Sequence, residues 1–159
     1  MVRAVHYGFS QGPNVSVRTA FAWCTDYSPD DMRLMQEEKA TRKVQHISDD
    51  VIILTDTFVS KGKRVVKRKL VCLYPDRFTW TATHLTGPNK HSQFLYEITA
   101  QNGKQCCLKF TGLQVDYAIK EDAEVARLSQ ELKKMDSNNW KLLASEMEKE
   151  LKTKCNNKN

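Results

Sequence analysis

The chain has 159 residues, 40% hydrophobic and 28% charged, with a net charge of +6 from 25 Lys and Arg against 19 Asp and Glu. At roughly 150 residues per domain this is one domain, long enough to bury a core without disulfide or metal staples. Wholesale disorder is excluded by the hydrophobic share, and apolar runs such as Val51 to Leu54 fall far short of the ~20 residues of a membrane helix.

The opening residues, Met1 to His6, alternate apolar and polar without a long apolar stretch, so no secretory signal is expected. The expected setting is cytoplasmic, without integral membrane association. Val5, Tyr7 and Phe9 share one face of a first strand over residues 2–9, and Gly12-Pro13-Asn14 ends it. From Ser16, the spacing of Val17, Phe21 and Cys24 predicts a short amphipathic helix ending near Thr25-Asp26. Ser28-Pro29-Asp30-Asp31 then has the chemistry of a helix start, and predicts a second short helix from about Pro29 to Gln36.

From Ala40 to Ile119 the strand signature repeats. Residues 40–48, 51–60, 64–74, 77–85, 93–101 and 105–119 are rich in Val, Ile, Thr and aromatics, with turn residues such as Lys61-Gly62-Lys63 and Asn102-Gly103 between them. Connections this short join only antiparallel neighbours, since a parallel crossover needs about a dozen residues. The middle is therefore a meander of six strands, seven if the first strand joins its edge. Residues 120–152 read as helix, with Leu128, Leu132 and Met135 in one stripe, continued by Leu143, Met147 and Leu151. Asp136-Ser137-Asn138-Asn139 is capping chemistry, so a kink or restart is expected there. Residues 153–159 form a polar tail after a domain spanning 1–152.

Three local patterns go further. Ala20-Phe21 precedes Thr25-Asp26-Tyr27 at the end of the first helix, Tyr74-Pro75-Asp76-Arg77-Phe78 makes a Pro-centred turn in mid-sheet, and Trp140 to Leu151 closes the chain. With the element order, these resemble the SRPBCC superfamily, which includes START domains, the birch-pollen allergen family and polyketide cyclase-like proteins. The resemblance implies an α+β helix-grip fold: a seven-stranded antiparallel sheet curved around a long C-terminal helix, with two short helices after the first strand. It also implies an apolar ligand held between sheet and helix. Members include cyclases, hydrolases, carriers and co-chaperones, so the fold does not choose among them.

Strand alternation selects candidate residues. If Lys67 and Lys69 face solvent, then Val66, Arg68, Leu70, Cys72 and Tyr74 face inward. Phe78, Trp80, Ala82 and His84 share the apolar parity of the next strand; Phe94, Tyr96 and Ile98, then Cys106, Leu108 and Phe110, do so after it. The expected cavity is lined by Arg68, Trp80, His84, Phe94, Tyr96 and Phe110, facing Trp140, Leu143 and Met147 on the last helix. Arg68, as an inward cation, needs either an acid such as Asp56 or an anionic ligand group. A bulge that flips the parity, or a place at the wet rim, would account for Arg68 and His84 without a ligand.

Other chemistries find less support. His6, His46, His84 and His91 are scattered, and Cys24, Cys72, Cys106, Cys107 and Cys155 contain no C-x-x-C pair, so no metal is expected and the cysteines read as reduced thiols. No G-x-S-x-G nucleophile motif and no Gly-rich phosphate loop occurs, and no cofactor is expected. A hidden enzyme would use acid–base chemistry, with His84 carrying the proton and Arg68 steadying an enolate. Lys61, Lys63, Arg64, Lys67, Arg68 and Lys69 form a basic hairpin, but alternation splits it between two faces and no aromatic platform accompanies it. The function expected is therefore binding, as carrier or sensor, of a hydrophobic or amphipathic small molecule or lipid. A cyclase or hydratase using the same cavity is the alternative, and a protein- or nucleic-acid-binding module working through the hairpin is a third.

Overall fold

Turn chemistry dictates the topology. The computed structural model describes residues 2–29, 31–34 and 39–156. Its strands are β1 (Arg3–Gln11), β2 (Thr41–Ser48), β3 (Val51–Ser60), β4 (Lys63–Tyr74), β5 (Thr79–His84), β6 (Gln93–Asn102) and β7 (Gln105–Asp116). Every pairing is antiparallel, in the order β1-β7-β6-β5-β4-β3-β2. Lys61 and Gly62 at the β3–β4 tip both have positive φ, 50° and 74°, the two-residue hairpin geometry that matches strand twist. The first strand joins the meander at its edge, beside β7.

Helix α1 (Val17–Thr25) begins where Ser16 Oγ accepts a hydrogen bond from the Thr19 amide at 3.2 Å. Helix α2 (Asp31–Leu34) starts at Asp31 rather than Pro29; the expected stretch beyond Leu34 lies outside the described residues until Lys39. The inward faces of the strands then meet in one core, with Val5, Tyr7 and Phe9 against Ile52, Leu54, Val71, Trp80, Leu108 and Phe110.

Helix α3 (Asp122–Asn156) is continuous through 35 residues, which corrects the expected break at residues 136–139 and carries helix into the expected tail. Those polar side chains are not caps. Tyr7 Oη donates to Asp136 Oδ2 at 2.6 Å, and Gln11 Nε2 donates to the Ser137 carbonyl at 3.0 Å and to its Oγ at 3.2 Å. Two turns back in the helix, Ser129 Oγ donates to the His6 carbonyl at 2.7 Å. A few residues of modest helix propensity cost only tenths of a kcal/mol each, and these ties to β1 outweigh that. Gly112 allows the geometry, because a Cβ there would lie 2.7 Å from the Tyr7 ring.

Burial raises the Asp136 carboxyl above its ordinary value, and the Tyr7 hydroxyl opposes that rise. Tyr7→Phe should therefore cost about 1–3 kcal/mol by denaturant unfolding. A carboxyl raised in the folded state contributes stability at low pH that is lost as pH rises through its folded value. The loss in Tyr7→Phe should accordingly be larger near pH 7 than near pH 4. Equal losses at both would show that the pair does not hold the helix.

Candidate functional site

Because α3 leans on β1, it does not press into the middle of the sheet, and a cavity of about 460 Å³ remains there. The concave face forms the floor and α3 the roof. Trp23 Nε1 donates to Glu150 Oε2 at 3.0 Å, and the Asn14 amide to Glu148 Oε1 at 2.8 Å, joining α1 and the loop before it to the end of α3. Gly87, at φ 89°, lets the β5–β6 loop lie on Lys67 and brings Asn89 to the cavity wall.

One wall is aromatic. Trp80 and Tyr96 stack with centroids 4.8 Å apart and planes 5° from parallel. Trp140 comes from α3 to within 5.5 Å of Tyr96 and 6.5 Å of Trp80. All three tryptophans of the chain, Trp23 included, line this space. Met135 in the lining is 53% exposed, which marks where the cavity meets the surface.

Among the residues selected by parity, Trp80, His84, Phe94, Tyr96, Phe110, Trp140 and Leu143 line the cavity. Met147 lies instead beside a narrow void shared with Trp23, Cys24 and Trp140. Arg68 is the correction: it is exposed on the opposite face of the sheet. Residues directly opposite in an antiparallel pair share a face. Lys69 pairs with His84 and Leu54, Val71 with Ala82 and Ile52, and Lys67 with Asp56, so Lys67, Lys69 and Val71 point inward. Both parities of β4 carry basic and apolar residues, and pairing with β3 and β5 decides between them.

Inward-facing Lys69 belongs to an ionic chain that alternation in β4 alone did not reveal. Asp56, 3% exposed, accepts from Arg42 Nε at 2.7 Å and Nη2 at 3.2 Å, and pairs with Lys69 Nζ at 2.8 Å. Arg42 Nη1 reaches Asp31 of α2 at 3.0 Å, and its guanidinium lies 5.8 Å from the Tyr27 ring centre. Asp56, the acid expected beside Arg68, thus serves Arg42 and Lys69. Burial works against its ionised form, but the Arg42 hydrogen bond and the Lys69 charge outweigh it and hold its carboxyl below the ordinary value. For Asp31, burial wins over Arg42 and pushes the carboxyl up to about 6. Arg42 shares with Val44 the parity of β2 that faces inward.

His84 differs from its neighbours in lacking a partner at one nitrogen. It is 5% exposed, and its Nδ1 is sealed from solvent without a hydrogen bond. The Phe94 ring stands edge-on to it at 5.0 Å. Burial, then the charges of Lys69 and Lys67, lower its pKa to about 3, so the ring is neutral at physiological pH. The unfolded chain then takes up the proton first, and the stability His84 contributes is complete above about pH 6.5 and lost as pH falls toward 3. At ~1.4 kcal/mol per pH unit, about 2 kcal/mol is gone by pH 5. His84→Gln should flatten this acid limb in denaturant unfolding followed from pH 7 to 5; an unchanged slope would contradict it. No three His, Cys, Asp or Glu side chains are grouped to hold a metal among the described residues.

The architecture has clear counterparts. The aromatase/cyclase Zhui of Streptomyces sp. R1128 superposes with a TM-score of 0.73 at 12% identity, over 94% of this chain and 96% of that one. The fold is a helix grip. A START superfamily protein from Mycobacterium smegmatis shares it with a TM-score of 0.64 at 13% identity, over 93% and 97% of the two chains. Norcoclaurine synthase from Thalictrum flavum, whose structure holds dopamine and hydroxybenzaldehyde, does so with a TM-score of 0.65 at 11% identity, over 94% and 87%. No family model and no curated protein matches the sequence itself. At such identities the helix-grip likeness is one of fold, and the chemistry must be argued from this chain's own residues. No helix among the described residues is long and apolar enough to cross a membrane.

Proposed function

We propose that this helix-grip protein binds a hydrophobic or amphipathic small molecule between its sheet and α3. The observation that carries the reading is the cavity of about 460 Å³ with Trp80, Tyr96 and Trp140 along one wall. Protein interiors are close-packed, with few voids larger than a water molecule, whereas ligand sites fall at about 300–1,000 Å³. Large rings facing an open space offer dispersion contacts that a flat apolar ligand can take up. That a fold neighbour was solved with two small aromatic compounds supports a ligand of this size.

The experiment is a titration with 2-naphthoate read by tryptophan emission, since all three tryptophans line the cavity. Saturable quenching at one equivalent is expected. Ala82→Phe and Leu143→Phe, each placing a ring in the space, should weaken it at least tenfold. Quenching that does not saturate, or that both variants leave unchanged, would remove the reading.

A catalytic reading of the same cavity, of the cyclase or hydratase kind, is the alternative. Support for it comes from the neutral His84 beside two lysines and from the Tyr7–Asp136 pair on the cavity wall. Arg68 takes no part, since it lies on the far face. A histidine held near 3 is a weak general base at neutral pH, because proton transfer is best served by a pKa near the working pH. Binding therefore takes precedence.

The basic hairpin offers less. Lys61, Lys63, Arg64 and Arg68 are exposed while Lys67 and Lys69 turn inward, so few phosphates can be met at once. Binding to a 20-mer DNA duplex in a fluorescence anisotropy titration is expected to vanish at about 0.15 M salt. Sub-micromolar, sequence-selective binding under that condition would favour the hairpin instead.

A further inference from the structure

We propose that His84, with Lys67 and Lys69 on the facing strand, forms the recognition end of the cavity, and that the occupant is an aromatic carboxylic acid whose carboxylate accepts a hydrogen bond from the ring N–H at Nε2. This rests on the cavity-binding reading above and adds the ligand's chemical class and orientation.

The two nitrogens of His84 differ in their surroundings. Nδ1 is sealed without a partner, whereas Nε2 is not among the sealed, unpartnered atoms, and the residue lines the cavity. Carrying a proton at Nδ1 would bury an N–H with nothing to receive it, a cost of about 1–3 kcal/mol. The single proton therefore belongs on Nε2, the nitrogen left to face the cavity, and His84 presents a donor there. A donor calls for an acceptor, and the surroundings favour a negative one. Lys69 is directly opposite on β4 and Lys67 lies one step further along the same face.

The charges set a limit on that anion. Arg42, Lys67 and Lys69 supply three cations around the cavity, against the acids Asp31 from α2, Asp56 from β3 and Asp136 from α3. Lys69 and Arg42 are already committed to Asp56, and Arg42 also to Asp31. Three cations against three acids leave the cavity near neutral, so a monoanionic carboxylate brings less unmatched charge into this partly buried site than a phosphate dianion would. Tyr7 is likewise committed, to Asp136.

Distance supplies the rest of the ligand. His84 and Trp80 share a face of β5 four residues apart, or about 13 Å at the rise of a strand. Ala82 stands between them and leaves the floor low, and Tyr96 extends the ring surface of Trp80. A fused or para-extended aromatic body reaches from the Trp80–Tyr96 stack with its carboxylate at His84.

Three probes of one shape test this: 2-naphthoate, methyl 2-naphthoate and 2-acetonaphthone, titrated against the whole protein by tryptophan quenching. A charged hydrogen bond should make 2-naphthoate bind roughly tenfold or more tighter than the two neutral probes. In His84→Phe, which keeps a ring but has no donor, that preference should fall below about threefold while the neutral probes bind as before. Lys67→Gln should reduce it partially. Nitrogen-15 NMR of the histidine should show the Nε2–H tautomer in the free protein, with that signal moving when 2-naphthoate binds. Saturable binding of all three probes with equal affinity would overturn the inference and leave the cavity reading intact. A preference for the acid that persists in His84→Phe, or a doubly protonated His84 in the complex, would overturn the role of Nε2. No binding of any probe would defeat the cavity reading itself, and this inference with it.

Discussion

Asp56→Ala is expected to lower stability by about 3–5 kcal/mol, because it leaves Arg42 and Lys69 without their shared carboxylate. The Arg42 side chain is only 8% exposed and that of Lys69 19%, so water cannot replace the lost partner fully. Asp31 remains as a second contact to Arg42 at 3.0 Å, which keeps the loss short of a fully stranded charge. The double variant Asp56→Leu with Arg42→Met should recover much of it, since removing both members of a buried pair is far milder than removing one. Urea unfolding at neutral pH measures both. The carboxyl of Asp56 is held below its ordinary value, so its contribution is present above about pH 4 and lost as pH falls through the lowered value. Wild type and Asp56→Ala should converge in strongly acid solution. A loss under about 1 kcal/mol at pH 7 would mean that the ionic chain is a surface arrangement of little weight.

Trp80→Ala should be comparably severe, at about 3–5 kcal/mol. Trp80 is 2% exposed and touches elements from both ends of the chain: Phe21 of α1 at 5.9 Å, Tyr96 at 4.8 Å and Trp140 of α3 at 6.5 Å. Its removal joins new empty volume to the existing cavity, and nothing nearby is free to fill it. Trp80→Leu, which keeps apolar bulk without the ring, should fold with a smaller loss yet bind 2-naphthoate much more weakly. Unchanged binding in Trp80→Leu would place the probe away from the aromatic wall.

Much of the architecture was legible because local and global preferences agree along most of the chain. In β1, Val5, Tyr7 and Phe9 alternate with polar or small residues, and only one face could be buried. In β5, Trp80, Ala82 and His84 are separated by threonines, so parity pointed one way, and connections of two to eight residues left only antiparallel neighbours. In β4 the same reasoning failed. Its two parities are nearly equal in charge and hydropathy, and a cavity tolerates lysines that a packed core would reject. Only the pairing of Asp56 with Lys67 and of His84 with Lys69 resolves the faces, and that is non-local information.

The same limit explains α3. Asp136 and Ser137 read locally as a helix start, but their partners Tyr7 and Gln11 lie 129 and 126 residues earlier in the chain. Arg42 shares its parity with Val44, but β2 is mostly exposed and one apolar neighbour is a weak signal; the pairing with Asp56 on β3 is what gives Arg42 its place.

The central claim is that the space between sheet and α3 is a ligand site. A crystal structure of the protein with 2-naphthoate tests it most directly. The account predicts density for the rings against Trp80, Tyr96 and Trp140, with the carboxylate directed to His84. Rings bound on the outer face of the sheet, or a cavity closed by inward collapse of these side chains, would contradict it.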